Sequence, residues 1–192
     1  MLPKRFNRHG FFPPKNYEMS LAELRQSVLT KGPEQVSPDW DAVWRCKLVS
    51  NLKILVAQLW QIGITGIFVD GSFVENNPFP HDIDGYFECG KRDFLSGDLE
   101  RQLNAVCPEK IWTWDLSNRR YSEDSPDKAQ LPMWHLYHVE LYPHYGQSSG
   151  ILDQFGNELA FPSAFRQDRE GRPKGIVRIR PESYSEAHHD KN

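Results

Sequence analysis

Residues 67–84 constrain the fold of this chain more than any other stretch. Ile67-Phe-Val-Asp70 is short and apolar enough for one buried strand, Gly71-Ser72 ends it in a tight turn, and Asp82 to Glu88 reads as a second strand. Side chains two apart on a strand share a face, so Asp82 and Asp84 point one way and Ile83 the other. One face of that strand is therefore acidic, while the other can enter a core. Two carboxylates held side by side supply oxygen ligands of the kind divalent cations take.

The flanking sequence supplies what such a pair of strands needs for cover. Ser37-Pro38 predicts the start of a long helix reaching about Ile62, with Asp39 and Asp41 near its positive end. Trp40, Val43, Trp44, Leu48, Leu52, Leu55, Val56 and Leu59 recur at helical spacing and form a stripe to pack on a sheet. Gly63-Ile-Thr-Gly66 ends that helix. Before it, Ser20-Leu-Ala-Glu23 is a capping box opening a short helix to about Leu29, and residues 1–17 read as an extended, proline-rich arm. After the acidic strand, Asp93 to Val106 reads as a helix weakened at Gly97, Lys110 to Leu116 as a strand, and Ser117 to Pro132 as a long polar surface loop. Trp134 to Tyr142 alternates as a half-buried strand carrying Glu140. The expected fold is a single α/β (α+β) domain over residues 1–180, with a mixed, mainly antiparallel sheet flanked by helices. Residues 181–192 are left as a polar tail.

Composition narrows the function classes. A net charge of −3 gives no general attraction to nucleic acid, so any such contact needs a local patch. Cys46, Cys89 and Cys107 are odd in number and widely spaced, which fits no zinc motif or disulfide framework and points to a reducing cytoplasm. The basic start of the chain is interrupted by Pro3, Pro13 and Pro14 and lacks an apolar segment, so no secretory signal or membrane association is expected. No apolar run approaches the roughly 20 residues needed to span a bilayer.

A hydrophobic strand, Gly71-Ser72, nine intervening residues (Phe73 to His81) and Asp82-x-Asp84 together resemble the signature of the DNA polymerase beta-like nucleotidyltransferase superfamily. The resemblance implies a triphosphate on the Gly71-Ser72 turn, two Mg²⁺ ions (or Mn²⁺ in their place) on Asp82 and Asp84, and a third carboxylate on a neighbouring strand, for which Glu140 is the match. Glu140 stands where the superfamily more often has Asp, and Gly85 where it has an apolar residue. The wider wording, from Gly71-Ser-Phe-Val through Pro80-His-Asp-Ile-Asp84 to Arg169-Glu-Gly-Arg-Pro-Lys174, is similar to a bacterial and phage branch associated with toxin–antitoxin or defence loci.

Two further groups complete the candidate site. On a strand His138 would share the face of Glu140, as a proton acceptor or supporting partner, while His135 would point away. Arg166 to Arg180 carries six Lys/Arg against two acids, and its turn at Glu170-Gly-Arg-Pro173 would project cations, Arg169 and Lys174 among them, toward a triphosphate or an RNA backbone. The expected reaction is transfer of a nucleoside monophosphate from an NTP to a tRNA, a protein or a small molecule. The competing expectation is a catalytically weak binding module of the same fold, acting as an antitoxin or a nucleotide-sensing regulator of a partner protein.

Overall fold

The computed structural model describes residues 3–34, 37–168 and 170–181; Arg169 and the polar tail beyond residue 181 lie outside the described residues. In chain order the elements are β1 (Asn16–Met19), α1 (Leu21–Gln26), α2 (Val28–Lys31), α3 (Ala42–Gln61), β2 (Ile67–Asp70), β3 (Ile83–Glu88), α4 (Lys91–Leu95) and α5 (Asp98–Val106). There follow β4 (Arg120–Ser122), β5 (Ser125–Gln130), α6 (Pro132–Tyr137), β6 (Val139–His144), β7 (Ser148–Leu152), β8 (Glu158–Ala160), α7 (Phe161–Ala164) and β9 (Ile176–Ile179).

Five strands form the central sheet in the order β1-β9-β2-β3-β6, and β4-β5 and β7-β8 are separate hairpins. The sheet is mixed. Its two central pairs, β9-β2 and β2-β3, are antiparallel and its edge pairs, β1-β9 and β3-β6, are parallel; with the two hairpins, antiparallel pairing predominates. The strands alternate as period two requires. Ile67, Val69, Ile83, Phe87, Val139, Leu141, Val177 and Ile179 enter one core with Leu48, Leu52, Leu55, Val56 and Leu59 of α3. Asp70, Asp84 and Glu140 lie on the other face.

Gly85, an exception to the apolar run of β3, is required by close approach. A Cβ there would collide with the carbonyl oxygen of Phe68 on β2 and come within 3.0 Å of Leu141 Cδ2 on β6. No side chain fits between the three strands at this point, so the residue is settled by packing of the fold and not by the chemistry of the acids beside it.

Several local expectations are corrected. The long helix starts at Ala42, capped by Asp41, whose carboxylate accepts from the Trp44 amide at 2.7 Å, and not at Ser37-Pro38. Val43, placed on the apolar stripe, is 82% exposed. Helix 93–106 is two helices divided at Gly97. Residues 110–115 join no sheet among the described residues: Trp112 is buried, but its backbone amide and carbonyl bond the side chain of Asn104 at 3.0 and 2.7 Å, which takes the place of a neighbouring strand. The segment 117–132 is not plain loop but holds the β4-β5 hairpin. Residues 132–137 form α6, with Pro132 in the first turn, so the strand carrying Glu140 begins only at Val139. The N-terminal arm contributes core: Phe12 and Tyr17 are buried and β1 pairs with β9.

Candidate active site

The register of three strands brings the acids together. Asp84 on β3 is the direct partner of Asp70 on antiparallel β2 and of Glu140 on parallel β6, so three carboxylates form a row across one face, with Asp82 just before β3. Burial is the largest influence on Asp84; repulsion from Asp82, Glu140 and Asp70 adds to it and outweighs the attraction of Lys128, raising the pKa to about 7. Asp82 is raised as well, chiefly by burial, against a hydrogen bond from Trp134. Asp70 is raised to about 6, because burial outweighs the neighbouring Lys174.

The acids differ in how they are held. Asp82 Oδ2 accepts from Trp134 Nε1 at 2.7 Å. Glu140 is fully buried: Oε1 accepts from the Leu131 amide at 2.8 Å and Oε2 from the Tyr142 hydroxyl. Tyr142 in turn accepts from Arg119 at 2.8 Å, while a second nitrogen of Arg119 donates to the Ala129 carbonyl at 2.9 Å. Burial and the negative charge of Glu140 push the Tyr142 hydroxyl well up, so it stays a donor. Lys128, on the outer hairpin, brings its ammonium to 3.9 Å from Glu140 Oε2. Asp84 is subject only to burial and neighbouring charge, with no hydrogen bond to its carboxylate among the described residues.

These environments decide which acids suit a divalent cation. Among the described residues no three His, Cys, Asp or Glu side chains gather as a metal-holding group. Mg²⁺, however, is commonly held by one or two carboxylates together with substrate phosphates and water. Asp84, with no hydrogen-bonding partner among the described residues, and Asp82, with one, fit that use; Glu140 has both oxygens engaged, one by Tyr142 on its own strand and one by the Leu131 amide, which ties β6 to the residue before α6.

Gly71 and Ser72 open a 3-10 turn, Gly71–Val74, directly after Asp70. Gly71 has φ +72°, and a Cβ there would lie 2.5 Å from Asp84 Oδ2. Glycine is thus needed both for the backbone and to leave the Asp84 carboxylate its space. Arg45, wholly buried on α3, holds the following segment by donating to the carbonyls of Phe73 at 2.8 Å, Glu75 at 3.3 Å and Asn77. Its burial brings the guanidinium down to about 9.

Of the predicted basic residues, Lys174 lies closest to the row, and it is already committed. Only 6% exposed, it bonds Glu75 Oε1 at 2.7 Å and lies 3.2 Å from Asp70 Oδ1 in an ion pair that leaves this oxygen without a hydrogen bond. Burial alone would lower its pKa, but the two acids outweigh it and keep the ammonium charged. Arg172 pairs with Asp168 and Glu170, so the turn does not present a set of unpaired cations. Arg169, also expected at this site, lies outside the described residues. His138 does not share a strand face with Glu140. It caps α6 in a left-handed conformation, and its ring packs 4.7 Å from Trp134 and 5.1 Å from Trp44, where burial lowers its pKa. His135 contacts the Arg120 carbonyl at 3.1 Å.

An open cleft of about 1160 Å³ runs from Gly71, Ser72, Asp84 and Lys174 to the β7-β8 hairpin. Sequence reasoning missed Asp70, Tyr142, Arg119, Lys128 and Arg45. Tyr142 had a signal, being two residues from Glu140 on one strand, and Asp70 had another, ending the strand before Gly71. Arg119 and Lys128 sit in a stretch read as loop, with nothing to mark them.

No curated protein and no solved structure matches this chain. No helix among the described residues is long and apolar enough to cross a membrane. One protein-family model matches residues 4–180, nearly the whole chain, and by that match the chain belongs to a family of unknown function, DUF6932.

Proposed function

We propose that this protein is a Mg²⁺-dependent nucleotidyltransferase of the DNA polymerase beta-like type. It moves a nucleoside monophosphate from an NTP to an acceptor hydroxyl and releases pyrophosphate. The observation that carries this reading is Asp84: a carboxylate without a hydrogen bond among the described residues, lining a cleft directly beside a Gly-Ser turn, with three other acids close enough to raise its pKa. Such crowding favours a bound cation or a proton, and at neutral pH the cation relieves more repulsion.

In this reading Asp82 and Asp84 hold the metal, Mn²⁺ serving in place of Mg²⁺. The ion supplies charge stabilisation for the phosphoryl oxygens. The Ser72 hydroxyl and the amides of the turn hold the outgoing phosphates. Lys174 neutralises Asp70 and Glu75, so the turn stays in place without adding negative charge beside the triphosphate. Glu140, locked by Tyr142 and Leu131, stays beside Asp84 as the strand pairing places it. The acceptor is an RNA such as tRNA, a protein, or a small molecule. A reducing cytoplasm suits the three free cysteines, one of which, Cys89, is pushed by burial to about 11 and is a poor nucleophile.

A second reading is favoured by Glu140 itself. With both oxygens engaged and Lys128 nearby, the acid row resembles a site settled without metal, as suits a nucleotide-binding module that regulates a cognate toxin or other partner. The test is incubation of purified protein with each of four α-³²P-labelled NTPs, with Mg²⁺ or Mn²⁺, against total RNA and total protein. Label in a macromolecule supports the enzyme. Nucleotide binding without incorporation supports the module, and neither binding nor incorporation sinks both.

A further inference from the structure

The cleft that begins at Asp84 and Ser72 ends at the β7-β8 hairpin, where large apolar side chains are left in solvent. Ile151, Leu152 and Phe155 line the cleft and are 49%, 63% and 78% exposed. Among the described residues the two strands pair only with each other, outside the central sheet. Yet the tip is built to a definite shape. Asp153 Oδ1 accepts from the amides of Phe155 and Asn157, both at 2.8 Å, and Oδ2 accepts from Asn157 Nδ2 at 3.1 Å. The Asp153 amide donates back to the Asn157 carbonyl at 2.8 Å. This network fixes a turn whose one large side chain, Phe155, makes no ring contact with another aromatic residue among the described residues. Clustered apolar side chains left exposed on a cleft wall are the usual mark of a ligand surface.

Charge determines which part of a ligand suits each end. Near the hairpin the cleft is lined by Asp153, Asp168 and Glu170, and its Arg172 is already paired with the last two. Phosphates are repelled there, whereas a flat, uncharged ring loses nothing. At the other end the Gly71-Ser72 turn and the cation-ready pair Asp82 and Asp84 suit phosphates. The two ends together suit a molecule with a planar apolar head and an anionic, metal-binding tail.

We propose that Phe155, backed by Ile151 and Leu152, is the nucleobase-binding wall of this cleft, with the phosphates directed to Gly71 and Ser72. The inference rests on the nucleotide reading above. A Phe face stacks on any base, so the wall provides affinity without choosing among bases.

The test is calorimetric titration of wild type, Phe155→Ala and Phe155→Trp with each of the four NTPs and with tripolyphosphate, all with Mg²⁺. Wild type should bind its best NTP more tightly than tripolyphosphate. Phe155→Ala should weaken that NTP about tenfold, leave tripolyphosphate unchanged, and keep the wild-type melting temperature, since the side chain is exposed. Phe155→Trp should retain NTP affinity. The base wall is overturned if no NTP outbinds tripolyphosphate, if Phe155→Ala leaves NTP affinity unchanged, or if both ligands weaken together. Absence of label transfer alongside a Phe155-dependent NTP affinity would remove the transferase reading and leave the base wall standing.

Discussion

The two faces of the central sheet are built by the same strands under opposite rules. On the covered face Val69, Gly85 and Leu141 stand in register across β2, β3 and β6, pressed on α3, and what each position requires is volume: large, none, large. On the open face the next residues in the same strands, Asp70, Asp84 and Glu140, stand in register too, and what each requires is a particular partner. Asp70 has Lys174, Glu140 has Tyr142 and Leu131, and Asp84 has no hydrogen bond among the described residues, the repulsion of its acidic neighbours outweighing the attraction of Lys128. One pleat further, Phe68, Tyr86 and Tyr142 form an aromatic row, with Phe68 and Tyr86 stacked at 4.7 Å, bounding the acids on that side. The covered face holds the fold through apolar contacts, while the open face keeps a charge cluster in which burial raises the pKa of Asp70 and Asp84. A local conflict of this kind is where function is expected to lie.

The comparison breaks most severely at Lys174. Lys174→Met removes the buried cation that offsets Asp70 and Glu75, and a loss of about 3–5 kcal/mol of stability is expected at pH 7, read by urea denaturation. The loss should shrink on acidification. Asp70 already has a folded pKa above its unfolded value, and without Lys174 it rises further; an acid raised in this way contributes stability below its unfolded pKa and loses it as pH rises through the folded one. Pairing Lys174→Met with Asp70→Asn should recover much of the stability. If the single variant is as stable as wild type at pH 7, the open face does not depend on partners as argued.

Leu141→Ala, one residue from Glu140 but on the covered face, should cost about 2–5 kcal/mol through loss of apolar contact and the remaining cavity, with no rescue by acid. A pH-dependent loss there would blur the distinction between the faces.

Asp82→Asn and Asp84→Asn should show the reverse pattern: nucleotidyl transfer down by at least on the order of 100-fold, with melting temperature unchanged or higher. Asp84 has its pKa raised to about 7, so its stabilising contribution is present below about pH 4 and is lost as pH rises through 7. The metal-free wild type should therefore melt at lower temperature at pH 8 than at pH 5.5, and Asp84→Asn should flatten this difference. Glu140→Gln separates the two readings of that residue. As a third metal ligand it should lose transfer nearly as strongly as the Asp variants; as the acceptor locked by Tyr142 it should mainly lose stability. The smallest effect is expected at Arg172→Ala, where a solvent-screened pair with Asp168 and Glu170 is broken and the urea denaturation midpoint should stay close to that of the wild type.

The parts of the molecule that were legible beforehand share one property, namely that local rules decide them. Ser20 and Glu23 form the predicted capping box because both partners lie within one turn. Ile67 to Asp70 and Ile83 to Glu88 are strands because alternation and a glycine turn mark them. The α3 stripe from Leu48 to Leu59 is buried as helical spacing requires, while Val43, in the first turn of the helix, stays in solvent. Trp112 misleads for the opposite reason: an aromatic, β-prone segment reached the core without a strand partner, because Asn104 satisfied its backbone. At Trp134 to His138 alternation suggests a strand, but a helical turn led by Pro132 and a left-handed His138 form instead, which turns the chain into β6 beside Asp84.

The amino-acid order by itself determined that a glycine turn would follow a buried strand and that Ile83 would enter the core while Asp84 faced the other way, since both follow from bond geometry within a few residues. It also placed Glu140 on a strand of its own. Only the tertiary structure decided that Asp70, Asp84 and Glu140 form one row, that Lys174 is bound within it and not offered to a ligand, that Arg45 holds the loop beyond the Gly-Ser turn, and that the β7-β8 hairpin carries Phe155 to the far end of the same cleft. These depend on strand register and on contacts between residues up to about a hundred positions apart, such as Glu75 and Lys174. No local preference encodes such contacts, because their free energy exists only once the whole sheet has closed.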